Sequence, residues 1–332
     1  MVKIWLNHWF STAYNIINLI KENEKDFYII GSNEKEESPI MAVCDEWYRE
    51  PPIKGGEYVD FCLQFCREHN VDVFVPHREM LAISQRKEDF SRAGVRVMAE
   101  NHELMSLLGD KDKAYRAFTD EKIGIVPEYY MATNAEDFEK AYRCLSAKYE
   151  KVCFKFVRDE GGKSYRLIDN TPKGYEALFK KQTTRMSFEA AMKSLSERES
   201  FSPVMIMPYL PDEEISVDCL NTPSGLIAVP RVKAASRIEK IHYDEGIIDT
   251  CRRLVEKFRL EQPCNIQFKY LEGVPYLLEV NARMSGGVQM SCLASGINIP
   301  NIAVNKLLGI EKPWENNKKE CSVTHIEVPI VL

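Results

Sequence analysis

The chain has 332 residues, of which 45% are hydrophobic and 28% charged, with a net charge of −6 and a pI near 5.7. This balance is typical of a soluble globular protein, and the length suits two or three lobes. The acidic charge disfavours nucleic acid as the main partner, and the longest apolar runs fall short of the roughly 20 residues that a membrane helix needs.

The N-terminal segment and the cysteines favour a cytoplasmic location. Residues 1–14 lack the cationic start, apolar block and cleavage site of a signal peptide. The ten cysteines are dispersed and form no Cys-x-x-Cys pair. Cys62 and Cys66 have a spacing that could hold a metal, but no second ligand pair accompanies them, so core thiols are the favoured interpretation. Free thiols suit a reducing compartment.

Strand and helix patterns alternate over the first hundred residues. Short apolar runs at 3–6, 27–30 and 71–75 are typical of strands, and 58–68 has helical apolar spacing. This rhythm predicts a parallel sheet with covering helices. The turn after the first strand contains no glycine, so the dinucleotide fingerprint and the Gly-rich phosphate loop are both missing.

Three ionisable residues, His77, Arg78 and Glu79, follow the strand pattern that ends at Pro76. Ligands of α/β sheets bind at the carboxyl ends of strands, which makes these side chains candidates for contacting a substrate. For the lobe as a whole, the favoured interpretation is a scaffold that also forms one wall of the substrate pocket.

A second unit is predicted to begin at Gly109. Asp110 is a candidate N-cap for a helix running toward residue 123, and further helices are predicted over 134–149 and 188–195. The polar stretch 169–200 otherwise lacks a strong pattern. We expect it to be mobile without ligand and ordered when nucleotide is bound.

A strand pattern at 151–157 contains Lys155 inside an apolar run, and the next turn contains Gly161 and Gly162. A lysine within a buried strand needs an anion, and glycines let backbone N–H groups approach a phosphate. The pattern therefore predicts a phosphate-binding strand and loop. An edge strand whose lysine is in water is the alternative.

The last third of the chain is predicted to be rich in strands. The predicted elements are strands at 203–210, 214–220 and 226–229, helices at 247–258 and 298–308, and a final edge strand at 323–332.

The strongest functional pattern lies between the last two of these helices. Apolar runs at 264–270 and 276–280 flank a short turn, which predicts a β-hairpin. Gln267 and Glu279 are twelve residues apart, one on each strand. Because side chains alternate faces along a strand, a short hairpin can bring them side by side.

Asn281 and Arg283 continue this polar row, which ends at the Ser285-Gly286-Gly287 loop. A polar row is costly to bury without a partner, and Mg²⁺ with phosphate oxygens would satisfy it. A surface hairpin whose polar face lies in water is the alternative.

At these residues the chain resembles the ATP-grasp superfamily, with its carbamoyl-phosphate-synthetase-like branch as nearest kin. The resemblance extends from about residue 110 to 310 and implies an α/β protein. In it, an N-terminal parallel α/β lobe, 1–108, precedes a two-lobed ATP-grasp unit whose α+β lobes clasp ATP. The small lobe with its glycine-rich lid would be 109–206, and the large lobe with the metal-binding hairpin 207–332.

The resemblance also assigns roles to individual residues. The implied ligands of Mg²⁺, or of Mn²⁺ as an alternative, are Gln267, Glu279 and Asn281. The implied ATP-binding residues are Lys111 (with Lys113 as its rival), Lys155, Gly161, Gly162, Met207, Tyr209, Leu210, Glu214 and Lys233. The basic residues implied to steady the transferred phosphoryl group are Arg283 and Arg231. In this scheme 207–210 forms an adenine-binding linker, and Glu214 binds ribose, with Asp212 and Glu213 as competitors.

The implied activity is the activation of a carboxylate by ATP as an acylphosphate, followed by attack of an amine and release of ADP and phosphate. The expected partners are a small-molecule carboxylate and an amine, and a homodimer remains open. Two alternatives are a small-molecule kinase of the same fold and a non-catalytic ATP-binding sensor or subunit.

Overall fold

The computed structural model describes residues 1–8, 12–159, 162–171, 184–233 and 237–332. By contacts the chain divides into two compact units. Unit 1 comprises Met1–Leu108, Glu213–Phe268 and Glu279–Leu332, and unit 2 comprises Gly109–Asp212 and Lys269–Leu278. The three-domain division with a boundary after residue 206 stays a prediction. Gly161, predicted to lie in the lid, is outside the described residues.

Unit 1 begins with a five-stranded parallel sheet in the order β3-β2-β1-β4-β5. Its strands are β1 Val2–Leu6, β2 Phe27–Asn33, β3 Glu46–Arg49, β4 Val73–Val75 and β5 Arg96–Val97. The helices of this region are α1 Ala13–Lys21, α2 Gly55–His69, α3 Met80–Gln85, α4 Lys87–Arg92 and α5 His102–Leu108, with a 3-10 helix at Pro39–Val43. The predicted parallel sheet is confirmed.

Alternation along β1 divides its side chains between two apolar cores. Ile4 and Leu6 belong to the core that includes Ile16 of α1, whereas Trp5 belongs to the core that includes Phe74. The Trp5 and Phe74 rings stack with centroids 4.0 Å apart, and Trp5 Nε1 donates to Ser32 Oγ at 2.7 Å. Both faces of the sheet are therefore covered, as its continuous apolar strands require.

Unit 2 has a five-stranded sheet in the order β6-β10-β7-β8-β9. Its strands are β6 Tyr130–Ala132, β7 Val152–Phe156, β8 Arg166–Ile168, β9 Arg185–Met186 and β10 Val204–Pro208. Its described helices are α6 Lys111–Asp120, α7 Ala135–Ser146 and α8 Phe188–Leu195. Asp110 caps α6 by accepting from the Lys113 backbone N–H at 3.2 Å, so the predicted N-cap is confirmed.

A six-stranded sheet, in the order β15-β14-β11-β12-β13-β16, carries the predicted hairpin. Its strands are β11 Glu214–Thr222, β12 Gly225–Lys233, β13 Ile238–Ile241, β14 Cys264–Leu271, β15 Val274–Asn281 and β16 Cys321–Thr324. The helices of this region are α9 Glu245–Phe258, α10 Val288–Ser295 and α11 Ile299–Leu307. Glu272 and Gly273, which connect β14 to β15, both have positive φ, the conformation that a two-residue hairpin turn requires.

The final edge strand is shorter than the sequence pattern predicts. β16 pairs with β13 but ends at Thr324, so the prediction of a strand through residue 332 is wrong beyond that point. Ile326 and Val331 are 80% and 94% exposed. The apolar alternation of the tail therefore has no core to face.

All ten cysteines are described, and all are free thiols. Seven are buried, including Cys62 and Cys66, which lie in the core on one face of the parallel sheet. Cys144 is exposed, and burial raises the pKa of the Cys44 thiol to about 12. In the described part of the chain, no helix is both long enough and apolar enough to cross a bilayer.

Candidate functional site

The predicted metal-binding row lies on β14 and β15, which are neighbouring strands. Asn281 Nδ2 donates to Glu279 Oε1 at 3.0 Å, and Gln267 Nε2 donates to Asn265 Oδ1 at 3.1 Å. These bonds engage the amide nitrogens. The amide oxygens Oδ1 of Asn281 and Oε1 of Gln267 are therefore the atoms of these two side chains that can coordinate a metal.

The donor set suits a hard cation that also binds phosphate. Within the described ranges, no group of three or more His, Cys, Asp and Glu side chains could hold a metal ion. The row instead offers one carboxylate and two amide oxygens, from Glu279, Asn281 and Gln267. Mg²⁺ is commonly bound by one or two carboxylates together with substrate phosphates, so the residues present fit this ion.

Arg231, predicted to contact the phosphoryl group, lies inside a buried polar network. Its side chain is 2% exposed, its Nε donates to Asp218 Oδ2 at 3.0 Å, and its Nη1 donates to Glu239. Burial alone would lower the pKa of Arg231, but the two carboxylates outweigh it and raise the pKa. Nε also donates to Ser291 Oγ at 3.0 Å.

The same guanidinium supports the loop that follows Arg283. Arg231 Nη2 donates to Ser285 Oγ at 3.1 Å, and a Cβ placed on Gly287 would lie 2.6 Å from Arg231 Cζ. Glycine at 287 therefore allows the loop backbone to approach the guanidinium. These contacts favour a positioning role for Arg231, whereas its direct contact with a phosphoryl group stays a prediction.

Two predicted ATP-binding residues form an ion pair on neighbouring strands of unit 1. Glu214 and Lys233 are opposite each other in the β11–β12 ladder, and Lys233 Nζ lies 2.6 Å from Glu214 Oε1. The pair is partly exposed. A ribose hydroxyl or a phosphate oxygen could therefore bind there by exchanging with part of this contact.

In unit 2, the two predicted phosphate-binding lysines both lie near Asp159. Lys111 is buried, and its Nζ donates to the Asp159 carbonyl oxygen at 3.1 Å. Lys155 is half-buried on β7. Burial acts against ionisation of Asp159, but bonds from Ser164, together with Lys111 and Lys155, hold the pKa of this carboxyl below its ordinary value.

Lys113, the rival of Lys111, is exposed, and its backbone N–H is engaged by the Asp110 cap. We keep Lys111, whose ammonium group lies beside Asp159, as the expected phosphate contact. Gly162 has φ +65, in the left-handed region that glycine adopts readily, and a Cβ there would meet no atom within 4 Å.

The predicted adenine linker is partly strand. Met207 and Pro208 belong to β10, so only Tyr209 and Leu210 lie in the connection to β11. Met207 and Leu210 are buried, which provides the apolar surroundings that an adenine ring needs. The Tyr209 backbone N–H donates to the Lys151 carbonyl at 2.9 Å.

A cleft in unit 1 contains Arg283, His8 and His77 among its lining residues. His8 follows β1 and His77 follows β4, neighbouring strands of the parallel sheet. The two imidazole centroids are 5.2 Å apart, and His8 Nε2 lies 3.2 Å from the Val75 carbonyl oxygen. The cleft therefore lies at the carboxyl end of the sheet, where ligands of α/β folds bind.

Two family models match separate stretches of the chain. A model described as ATP-grasp in the biosynthetic pathway with Ter operon matches residues 200–329, and the PylC-like N-terminal domain model matches residues 11–98. The ATP-grasp match covers 130 of the 332 residues. The predicted metal-binding row and Arg283 lie within the matched ATP-grasp segment.

Curated proteins similar to this chain include large chains of carbamoyl phosphate synthase. The arginine-specific large chain of Geobacillus stearothermophilus is 24% identical over 323 residues, covering 90% of this chain and 28% of that one. The large chain of Methanoregula boonei is 21% identical over 342 residues, covering 95% and 30% respectively. The chain thus spans less than a third of the length of these relatives.

Solved structures with the same ATP-grasp fold include two nucleotide complexes. N5-carboxyaminoimidazole synthetase from Staphylococcus aureus, complexed with ADP, has a TM-score of 0.73 at 13% identity and covers 98% of this chain and 82% of its own. The β-γ-ATP complex of biotin carboxylase from Campylobacter jejuni has a TM-score of 0.68 at 17% identity, covering 94% and 72%. The predicted fold, a parallel α/β lobe followed by an ATP-grasp unit, is confirmed.

Of the three ionisable residues predicted after β4, only His77 lines the cleft. Arg78 Nη1 bonds to Glu50 Oε2 at 2.8 Å, and Glu79 Oε2 accepts from the Gly55 backbone N–H at 3.1 Å. His8 was not among the site residues predicted from the sequence. Applying the strand-end rule to β1 as well as to β4 would have identified it.

Proposed function

We propose that the protein is an ATP-dependent carboxylate–amine ligase. The observation that carries this proposal is the row of Gln267, Glu279 and Asn281 on one hairpin, continued by Arg283 in the cleft. Metal-binding oxygens and a cation beside a cleft are what the transfer of a phosphoryl group to a carboxylate requires. The similarity to carbamoyl phosphate synthase, N5-carboxyaminoimidazole synthetase and biotin carboxylase supports the same class.

In this proposal, the residues predicted to bind ATP have separate roles. Lys111 and Lys155 bind phosphate oxygens, and residues 207–210 surround the adenine. Glu279, Asn281 and Gln267 would hold Mg²⁺, which would neutralise negative charge on the phosphates. Positioning and charge neutralisation supply most of the catalysis, as in other phosphoryl transfers.

The proposed reaction has two steps. A carboxylate oxygen forms a bond to the γ-phosphorus of ATP while the bond from that phosphorus to ADP breaks, which yields an acylphosphate. An amine nitrogen then bonds to the acyl carbon, phosphate leaves, and the amine loses a proton. Arg283 steadies negative charge on the reacting carboxylate and on the departing phosphate.

The test is an assay of ADP and phosphate release with ATP, Mg²⁺ and a panel of carboxylates, using hydroxylamine as the amine. A ligase forms a hydroxamate and releases one ADP and one phosphate for each. ADP release that instead leaves a phosphorylated product would indicate a kinase, and no turnover would indicate a sensor. Glu279→Gln should abolish the reaction, whereas Glu272→Gln, at the exposed hairpin turn, is the matched control.

A further inference from the structure

The cleft in unit 1 has one positively charged side chain in an otherwise uncharged lining. Its described lining residues include one cation, Arg283, two imidazoles and one amide, and no carboxylate. The remaining lining residues are apolar: Val75, Pro76, Met80, Met98, Pro263, Ala282 and Met284. A single anionic group on an otherwise uncharged molecule fits this lining.

The two imidazoles add hydrogen-bonding capacity without adding charge. Burial is the main cause that lowers the pKa of His8 to about 4 and the pKa of His77 to about 2, and Arg283 lowers both further. Both rings are therefore neutral near pH 7. Arg283 remains the charged group that pairs with an anion, and it can do so in a bidentate manner.

Hydrogen bonds to neighbouring buried residues hold the polar side of the cleft in place. Asn7 Oδ1 accepts from the His77 backbone N–H at 2.6 Å, and Asn7 Nδ2 donates to the Tyr58 hydroxyl at 2.8 Å. Glu100 Oε1 accepts from the Gln262 backbone N–H at 2.7 Å. His77 and Gln262 are thus held in place by the fold before any ligand binds.

The apolar wall limits the body of the ligand in charge and in size. Met98 and Met284 are buried in the core, and Met80 is half-buried at the start of α3. A second carboxylate against these side chains would be desolvated without a partner. The cleft has a cavity volume of about 20 Å³, which restricts the body of the ligand to a short group.

We infer that this cleft binds the carboxylate substrate, and that this substrate is a short monocarboxylate with an uncharged, apolar body. This inference rests on the proposed function for the chemistry that follows binding. Arg283 binds the carboxylate, His8 and His77 provide neutral hydrogen-bonding groups, and the methionines contact the alkyl group.

The experiment is saturation-transfer NMR on the full chain with propionate and succinate, in the presence of ADP and Mg²⁺. We expect propionate to reach half-saturation at a concentration at least tenfold lower than succinate. Met80→Lys places an ammonium group on the apolar wall, so the preference for propionate over succinate should fall at least fivefold. Leu293→Lys, at a 78% exposed position, is the matched control and should leave the preference unchanged.

Each outcome separates the substrate inference from the proposed function. Equal binding of both acids, no binding of either, or an unchanged preference in Met80→Lys overturns the inference. If Met80→Lys does not fold, Met80→Gln replaces it. This variant should weaken the binding of propionate but not the binding of succinate. Propionate binding without ADP release would leave the inference standing and count against the ligase. ADP release that is greater with succinate than with propionate would support the ligase and overturn the substrate inference.

Discussion

Gly287 provides a sharp test of how the loop after Arg283 is held. Its φ is −107, which any residue can adopt, so a substitution there acts through packing and not through backbone strain. An alanine Cβ would lie 2.6 Å from Cζ and 2.7 Å from Nη2 of Arg231. The guanidinium cannot easily retreat, because Asp218, Glu239 and Ser291 all bond to it in a buried site.

Gly287→Ala should therefore lower the free energy of unfolding by roughly 1–3 kcal/mol, the usual cost of overpacking a buried site. Gly286→Ala is the matched control, because its Cβ would lie 3.6 Å from Thr12 Oγ1, an ordinary contact. We expect the control to change stability by less than about 0.5 kcal/mol. Urea and thermal unfolding, followed by circular dichroism, measure both effects.

A double-mutant cycle tests the assigned cause. Arg231→Lys removes the planar group that the new methyl would meet, so the cost of Gly287→Ala should be smaller in that background. Equal stability of Gly287→Ala and Gly286→Ala would refute the reasoning. Strict additivity with Arg231→Lys would show that the loop is strained for another reason.

Glu279→Gln should reduce ligase turnover by at least about 100-fold at saturating Mg²⁺, because it removes a metal-binding charge. The thermal midpoint of unfolding should stay nearly unchanged. Activity within about threefold of the parent protein would contradict the assignment. Lys155→Ala should weaken ATP binding, measured by calorimetry, by roughly 1.5–3 kcal/mol, the range for a hydrogen bond to a charged group. The control variant Lys113→Ala should leave ATP binding unchanged. An unaltered dissociation constant for ATP in Lys155→Ala would exclude a phosphate contact. Because burial lowers the pKa of His8 to about 4 and that of His77 to about 2, the unfolded chain, with an ordinary histidine pKa of 6.5, takes up protons first as the pH falls. Their contribution to stability is therefore fully present above pH 6.5 and is lost as the pH falls toward the folded pKa values, by about 1 kcal/mol per imidazole at pH 5.5. Urea unfolding between pH 7 and 5 should show a shallower pH dependence when both histidines are replaced by glutamine, and parallel curves would contradict the cause.

The hairpin could be predicted from the sequence because its determinants are local. A two-residue turn at Glu272 and Gly273 fixes the pairing, and strand alternation then places Glu279 and Asn281 on one face. The same holds for the Asp110 cap of α6, whose acceptor lies three residues from its donor. Such features need no knowledge of distant segments.

The surroundings of Arg231 could not be predicted in this way. Asp218 lies 13 residues away on the paired strand β11, whereas Ser291 lies 60 residues away on α10, and its approach depends on how α10 packs against β12. A strand arginine near a predicted site therefore looks the same in sequence whether it faces a ligand or a buried carboxylate. His8 and His77 likewise meet only because β1 and β4, distant in sequence, are neighbours in the sheet.

The distribution of the thiols has a practical consequence for observing unit 2. Cys144, on α7, is the exposed cysteine among ten, while seven others are buried and Cys44 resists ionisation. Because the thiolate is the reactive species, a maleimide dye in limiting amount should attach to Cys144 first. The native chain thus offers a site for a fluorophore in unit 2, which contains Lys111 and Lys155. Changes in fluorescence emission on adding nucleotide could then be followed without replacing any cysteine.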